Sequence, residues 1–180
     1  MTKTLIRYCC ITALIGLTGI VLAISPSEKQ QLDNFKVSTL KGLRGVAVKV
    51  MIVRDDASML PLLKEQTLQG EVEVALQSAG IEIARPTPEV GLYVVLVKVT
   101  AANNDKLNVA MHVQSSLLQI VNLSRDTTIK TEALTWPSFG QSRFGVVSVA
   151  IAKSTIEKTV KDQVKDFAND WKAANPKQQP

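Results

Sequence analysis

The stretch that decides the fold is Gly91-Leu92-Tyr93-Val94-Val95-Leu96-Val97-Lys98-Val99-Thr100-Ala101. Its apolar residues occupy both alternating sets of positions. One face carries Tyr93, Val95, Val97 and Val99, and the other carries Leu92, Val94 and Leu96. A strand that is apolar on both faces is typical of a central position in a sheet, with partial cover on each side. The stretch therefore predicts a central, buried β-strand.

A strand and a helix precede this stretch. In residues 46–52, β-branched apolar residues recur at every second position. This period of two predicts a strand with one buried face formed by Val46, Val48, Val50 and Ile52. Helical spacing then predicts a helix whose apolar stripe consists of Leu68, Val72, Ala75, Leu76 and Ala79. Gly80 is expected to end that helix in the left-handed conformation, and residues 81–84 form a short strand.

Two further strands and a long helix follow. In residues 107–120, apolar residues occupy every second position until Ser115-Ser116, after which they occupy the other set of positions. A bulge or bend is the simplest explanation of this change. Residues 128–136 are predicted to form the last strand, and residues 138–147, which have no strong period, a loop. Residues 148–174 are predicted to form a helix whose buried seam consists of Val149, Ala152, Ile156, Val160, Val164, Phe167 and Trp171.

This order of elements, β-α-β-β-β-β-α, predicts an α+β fold. Successive hairpins with two helices favour a mostly antiparallel sheet of four to five strands with both helices packed on one face. The predicted organisation is a polar spacer or short helix over residues 24–41, a single α+β domain over residues 42–176 and a polar tail over residues 177–180.

The N-terminus has the layout of a secretory signal. Lys3 and Arg7 precede an uncharged run over residues 8–27, and Val21-Leu22-Ala23 is acceptable before a signal-peptidase cut. Residues 1–23 are therefore expected to be a cleaved signal peptide. The uncharged run is also about long enough to span a bilayer, so an uncleaved N-terminal anchor stays open as the alternative.

Charge and cysteine content narrow the class of protein. The chain has 21 Lys and Arg against 16 Asp and Glu, which permits contact with anionic lipid or a cell-wall polymer. No basic run with interleaved aromatic residues is present, so we expect no nucleic-acid partner. Both cysteines, Cys9 and Cys10, lie in the signal, and an exported domain without cysteine fits a bacterial periplasm.

The sequence offers no catalytic, cofactor-binding or metal motif. His112, the single histidine, falls on the polar face of its strand without a nucleophile or an orienting acid beside it. Asp162, Asp166 and Asp170 share one helix face, where a weak cation site is the alternative to a solvated acidic face offset by nearby lysines. We therefore predict no catalytic residue, no cofactor and no metal ligand.

Three aromatic residues stand out because the chain is only 4% aromatic. Trp136, Phe139 and Phe144 lie within nine residues of one another, around the predicted glycine-containing loop. Either they close one end of the core, or they form a loop that binds a partner. They are the candidate site residues of this sequence.

Several short motifs resemble those of a family of small exported bacterial proteins. They are Gly45-Val46, Ala79-Gly80-Ile81, Leu92-Tyr93-Val94, Val160-Lys161-Asp162-Gln163-Val164-Lys165-Asp166-Phe167, Trp171 and Asn175-Pro176-Lys177. The order of elements is also similar to that of small envelope α+β domains such as the N-terminal domain of TolB. The resemblance implies a fold and an exported location, and it implies no chemistry.

The expected function is that of an exported, periplasmic, non-enzymatic module that binds another envelope protein or a cell-wall component. The alternative is a structural or assembly subunit tethered to the inner membrane through residues 8–27. A cell-envelope hydrolase is a third hypothesis. It would need acidic or serine groups that only the fold brings together.

Overall fold

The structure, a computed structural model, describes residues 26–54, 63–84, 94–103, 107–137 and 143–176. The chain divides into two compact units, residues 1–33 and 34–180. The sheet and the two helices packed on it belong to the second unit. The predicted signal or anchor and the predicted tail lie outside the described residues.

The α+β class predicted from the sequence is confirmed, with one more strand than expected. The elements are α1 (Pro26–Ser38), β1 (Gly45–Arg54), α2 (Glu65–Ser78), β2 (Glu82–Ile83), β3 (Val94–Asn103), β4 (Asn108–Leu123), β5 (Asp126–Pro137), β6 (Arg143–Ser148) and α3 (Val149–Ala174). Of the two interpretations of residues 24–41, the helix is the one observed, because α1 occupies most of that range.

The sheet is mixed. Its strand order is β2-β1-β3-β4-β5, and β6 also pairs with β4. Strand β1 is parallel to both β2 and β3, whereas β4 is antiparallel to β3, β5 and β6. Residues 94–101 of the stretch that is apolar on both faces lie in β3, which lies between β1 and β4 as that pattern predicts.

One face of the sheet is covered by α2 and α3. Burial alternates along the central strands, and the inward side chains include Val46, Val48, Val50, Val95, Val97, Val99, Val109, Met111, Val113 and Leu117. The seam of α3 joins the same core cluster, as do Leu68, Val72 and Leu76 of α2. Ala75, which was predicted to belong to the stripe of α2, is exposed because it lies on the side of the helix that faces away from the sheet. Both helices therefore lie on one face, as predicted.

Strands β5 and β6 lie along the same side of β4. Pairing with β5 begins at Ser116, opposite Pro137, and pairing with β6 ends at Val113, opposite Arg143. The prediction of a loop over residues 138–147 is therefore wrong from Arg143 onward. The alternation was missed because the inward positions include Gly145, while the apolar Phe144 and Val146 lie on the exposed side.

The phase break at Ser115-Ser116 is not a bulge in β4. Pairing of β4 with β3 runs without interruption through both serines. The register shift lies between Leu117 and Leu118 in the pairing with β5, where Thr135 is the extra residue. The apolar pattern changes sides because Leu118 and Ile120 project from the exposed face, and the inward position is taken by a buried serine.

The end of α3 holds the segment that leads into β1. The Asn175 amide nitrogen donates to the Leu40 carbonyl at 2.9 Å, and the Gly42 N–H donates to the Asn175 side-chain oxygen at 2.7 Å. The Trp171 indole N–H donates to the Leu43 carbonyl at 2.7 Å. These bonds join residues more than 125 positions apart and satisfy backbone groups that lie outside any strand.

Candidate functional site

The sheet face opposite α2 and α3, called the open face below, is the most distinctive surface of the described chain. Eleven large apolar side chains are exposed within the described ranges, and six of them lie on this face. The six are Met51, Val53, Ile120, Leu134, Phe144 and Val146. Exposed apolar groups concentrated on one face mark an interaction surface.

Phe144 is the most exposed of these six side chains. It lies on β6 directly opposite His112 on β4, and 80% of its surface is accessible. The centroids of the two rings are 6.2 Å apart, at an interplanar angle of 49°. Val146 follows on the same face, opposite Ala110. Phe144 therefore packs along one edge against His112 and presents the rest of its ring outward.

The charge of the open face differs between its centre and its edges. Lys49 on β1 and Lys98 on β3 lie near its centre, and both are exposed. The acidic residues Glu82 on β2 and Glu132 on β5 lie towards its opposite edges. The small side chains of Ala47 and Ser116 on this face are buried. The centre of the open face is thus basic.

The three candidate aromatic residues do not form one site. Trp136 is buried on the helix-covered face of β5, where its indole N–H donates to Asp170 at 2.9 Å and its ring packs edge-to-face on Phe167. Phe144 lies on the opposite face of the sheet, and Phe139 lies outside the described residues. Strands β5 and β6 therefore place Trp136 and Phe144 on opposite faces of the sheet, and these two side chains do not share one surface.

The acidic stripe of α3 is occupied by protein contacts. Asp162 pairs with Lys158 at 2.6 Å, and Asp170 accepts the bond from Trp136. Among the described residues, no group of three or more His, Cys, Asp or Glu side chains converges to hold a metal ion. None of the helices in these ranges is both long and apolar enough to cross a membrane.

A buried polar cluster lies behind the sheet, where β4 has no described partner strand between β5 and β6. Gln163 of α3 is fully buried there, and its amide nitrogen donates to the Val113 carbonyl at 3.0 Å. The Ser115 hydroxyl donates to the Gln163 side-chain oxygen at 2.7 Å. Each partner satisfies a buried group of the other, so the cluster stabilises the junction of α3 with β4.

Gln163→Leu is expected to lower the free energy of unfolding by about 1–3 kcal/mol. The substitution removes the acceptor of Ser115 and the donor of Val113, and both groups stay buried. Urea unfolding measures the loss, and Gln77→Leu on the exposed side of α2 is the matched control. Adding Ser115→Ala to Gln163→Leu should cost less than the sum of the two single changes; strict additivity would show that the hydrogen bond contributes nothing.

Sequence reasoning missed the open face as a site. The pattern that could have shown it is the apolar character of the outward positions in β4, β5 and β6, which include Leu118, Leu134 and Phe144. Those positions become one surface only when the strands pair. No family model, curated protein or solved structure matches this chain.

Proposed function

We propose that this chain is an exported, non-enzymatic binding module of the bacterial cell envelope, and that its open face binds an anionic membrane surface. The observation that carries the proposal is the concentration of exposed apolar side chains around unneutralised lysines on one sheet face. Export itself is the expectation drawn from the N-terminal residues.

The apolar side chains supply one part of the binding energy. Phe144 and Val146 project side by side from β6, and Leu134 and Ile120 form a second apolar group farther along β5 and β4. Burying a side chain of this size in an apolar environment contributes about 1.5–3 kcal/mol. The ring of Phe144 is placed to enter the boundary between lipid headgroups and acyl chains.

The lysines supply the second part. Lys49 and Lys98 form no ion pair with any described residue, whereas helix residues form the ion pairs Lys153–Glu157, Lys158–Asp162 and Lys161–Glu71. A lysine near an anionic membrane contributes about 1 kcal/mol. The charge of the open face is therefore available to lipid phosphates, while much of the charge on the helix side is offset internally.

The test is sedimentation of residues 24–180 with lipid vesicles, after a cooperative thermal transition has shown that this chain is folded. We expect binding to vesicles rich in phosphatidylglycerol and weaker binding to pure phosphatidylcholine. The double variant Lys49→Glu, Lys98→Glu should lose roughly tenfold or more in affinity, since two favourable charges become repulsive. The double variant Phe144→Ser, Val146→Ser should lose about tenfold or more in affinity, because two apolar side chains no longer contribute to binding.

Matched controls separate the open face from general charge and hydrophobicity. Lys165→Glu and Val74→Ser alter an exposed lysine on α3 and an exposed valine on α2, both off the open face. Both variants should lose much less affinity than the open-face variants. Equal binding to both kinds of vesicle, or equal losses in the control and the open-face variants, would overturn the proposal.

A further inference from the structure

Among the described residues, the hairpin of β4 and β5 extends beyond the other strands of the sheet. Strand β3 pairs with β4 as far as Leu118, and the two-stranded segment beyond it, residues 119–133, is called the arm below. Side chains from Ser124 to Glu132 are all exposed. No described strand pairs with the outer edge of β5. A two-stranded ribbon is marginally stable alone, and an open edge is a template for another strand.

The arm has a defined geometry at its tip and along its edge. The Asp126 carboxylate accepts hydrogen bonds from the Thr128 hydroxyl at 2.7 Å and from the Thr128 N–H at 3.0 Å. These two bonds, the hydroxyl bond first and then the backbone bond, lower the pKa of Asp126, so the turn keeps its charged acceptor to a lower pH than an unpaired aspartate would. From Lys130 to Leu134 the pairing with β4 is regular, so no bulge interrupts this part of β5.

The sequence of this edge is complementary to itself in one symmetric register. Outward N–H and C=O groups recur at every second residue, so two antiparallel copies of β5 must be centred on a residue. Centring on Lys130 places lysine opposite lysine, and centring on Glu132 places glutamate opposite glutamate. Centring on Thr131 places each Lys130 opposite Glu132 of the second copy, and Thr131 opposite its counterpart. Opposite charges and Thr–Thr pairs stabilise directly facing positions, and like charges destabilise them.

We propose that two copies of this chain associate through their β5 edges, antiparallel and centred on Thr131, to form one continuous sheet. The contact is isologous, so both Lys130–Glu132 pairs form at once and the interface closes at two copies. Within a single copy, Lys130 faces Asn122 and Glu132 faces Ile120, so neither charge has an opposite charge across the strands. The second copy supplies that partner.

The symmetry has a consequence for the open face. In an antiparallel edge-to-edge pair, the two-fold axis is perpendicular to the sheet, so both open faces point the same way. Two membrane-binding faces would then act together and raise the avidity. The dimer proposal can be tested independently of the proposed function, because its experiments are made without lipid bilayers and measure only the association of two copies.

Charge reversal tests the register. Sedimentation of the full chain in detergent micelles should show a reversible dimer. Lys130→Glu or Glu132→Lys should raise the dissociation constant by about tenfold or more, because each change turns both facing pairs into like-charge pairs. The double variant Lys130→Glu, Glu132→Lys restores opposite charges and should restore the dimer. A chain that is monomeric at every concentration, or a double variant no better than the singles, would overturn the proposal.

Disulfide formation tests whether the two β5 strands are centred on Thr131. With Cys9→Ser and Cys10→Ser in place, Thr131→Cys should form an intermolecular disulfide on mild oxidation. Facing residues lie about 4.5–5.5 Å apart between Cα atoms, within disulfide range. Ile129→Cys is the matched control on the same exposed strand, because the two copies of residue 129 would be about 13 Å apart. Equal crosslinking at the two positions would show that the proposed register is wrong.

Discussion

Phe167→Ala is expected to lower the free energy of unfolding by about 3–5 kcal/mol, which is typical for truncation of a large core aromatic residue. Phe167 is only 1% exposed on α3, and its ring packs edge-to-face on Trp136 with centroids 5.0 Å apart. The substitution leaves a cavity between α3 and β5 and removes the aromatic pair. The free energy of unfolding of a whole domain is about 5–15 kcal/mol, so the variant should unfold at a much lower urea concentration.

Intrinsic fluorescence during urea unfolding measures this loss, since both tryptophans of the chain, Trp136 and Trp171, are buried. Val74→Ala is the control, because Val74 is 62% exposed on α2 and its truncation should change stability by no more than about 0.5 kcal/mol. If Phe167→Ala were as mild as Val74→Ala, the seam of α3 would not form part of the core.

Trp171→Ala is expected to cause a loss of similar size, about 3–5 kcal/mol. Trp171 is 1% exposed, and it both fills the core near the end of α3 and binds the Leu43 carbonyl through its indole N–H. Truncation therefore creates a cavity and also releases the segment between α1 and β1. The same unfolding measurement applies, with Trp136 as the remaining fluorophore.

Trp171→Phe separates the two contributions. The variant keeps an aromatic ring in the core and removes the indole donor together with a smaller volume than Trp171→Ala does, so its expected cost is about 1–3 kcal/mol. Amide hydrogen exchange at Leu43, whose N–H bonds the Leu40 carbonyl, should become faster in both variants because the segment is less firmly held. A Trp171→Phe protein as stable as the wild type would show that the bond to Leu43 adds no net stability.

Much of the fold could be predicted from local patterns. The seam of α3 and the alternation of β1 lie where the sequence placed them, and so does the stripe of α2 except for Ala75, which is exposed. Gly80 follows α2 with a φ of 91°, the left-handed conformation expected after a helix end. These predictions succeed because residues a few positions apart share one face of one element, and burial of that face is visible in the sequence.

The candidate site could not be predicted in the same way. The aromatic residues Trp136 and Phe144 are near in sequence, yet pairing with different parts of β4 puts them on opposite faces of the sheet. The phase break after Ser115 suggested a bulge, whereas the structure shows an uninterrupted strand whose apolar positions move to the open face. Alternation gives the two faces of a strand, but it does not say which face will be covered.

The sequence by itself therefore determined the α+β class, the main helices and strands, and which side chains of the core elements point inward. These features depend on contacts along one element and on the burial of apolar surface. Only the tertiary structure decided that β6 exists, that one sheet face remains open and that the edge of β5 is unpaired among the described residues. Those features depend on which distant segments pair with β4, because a strand gains or lacks a neighbour through hydrogen bonds supplied by another part of the chain.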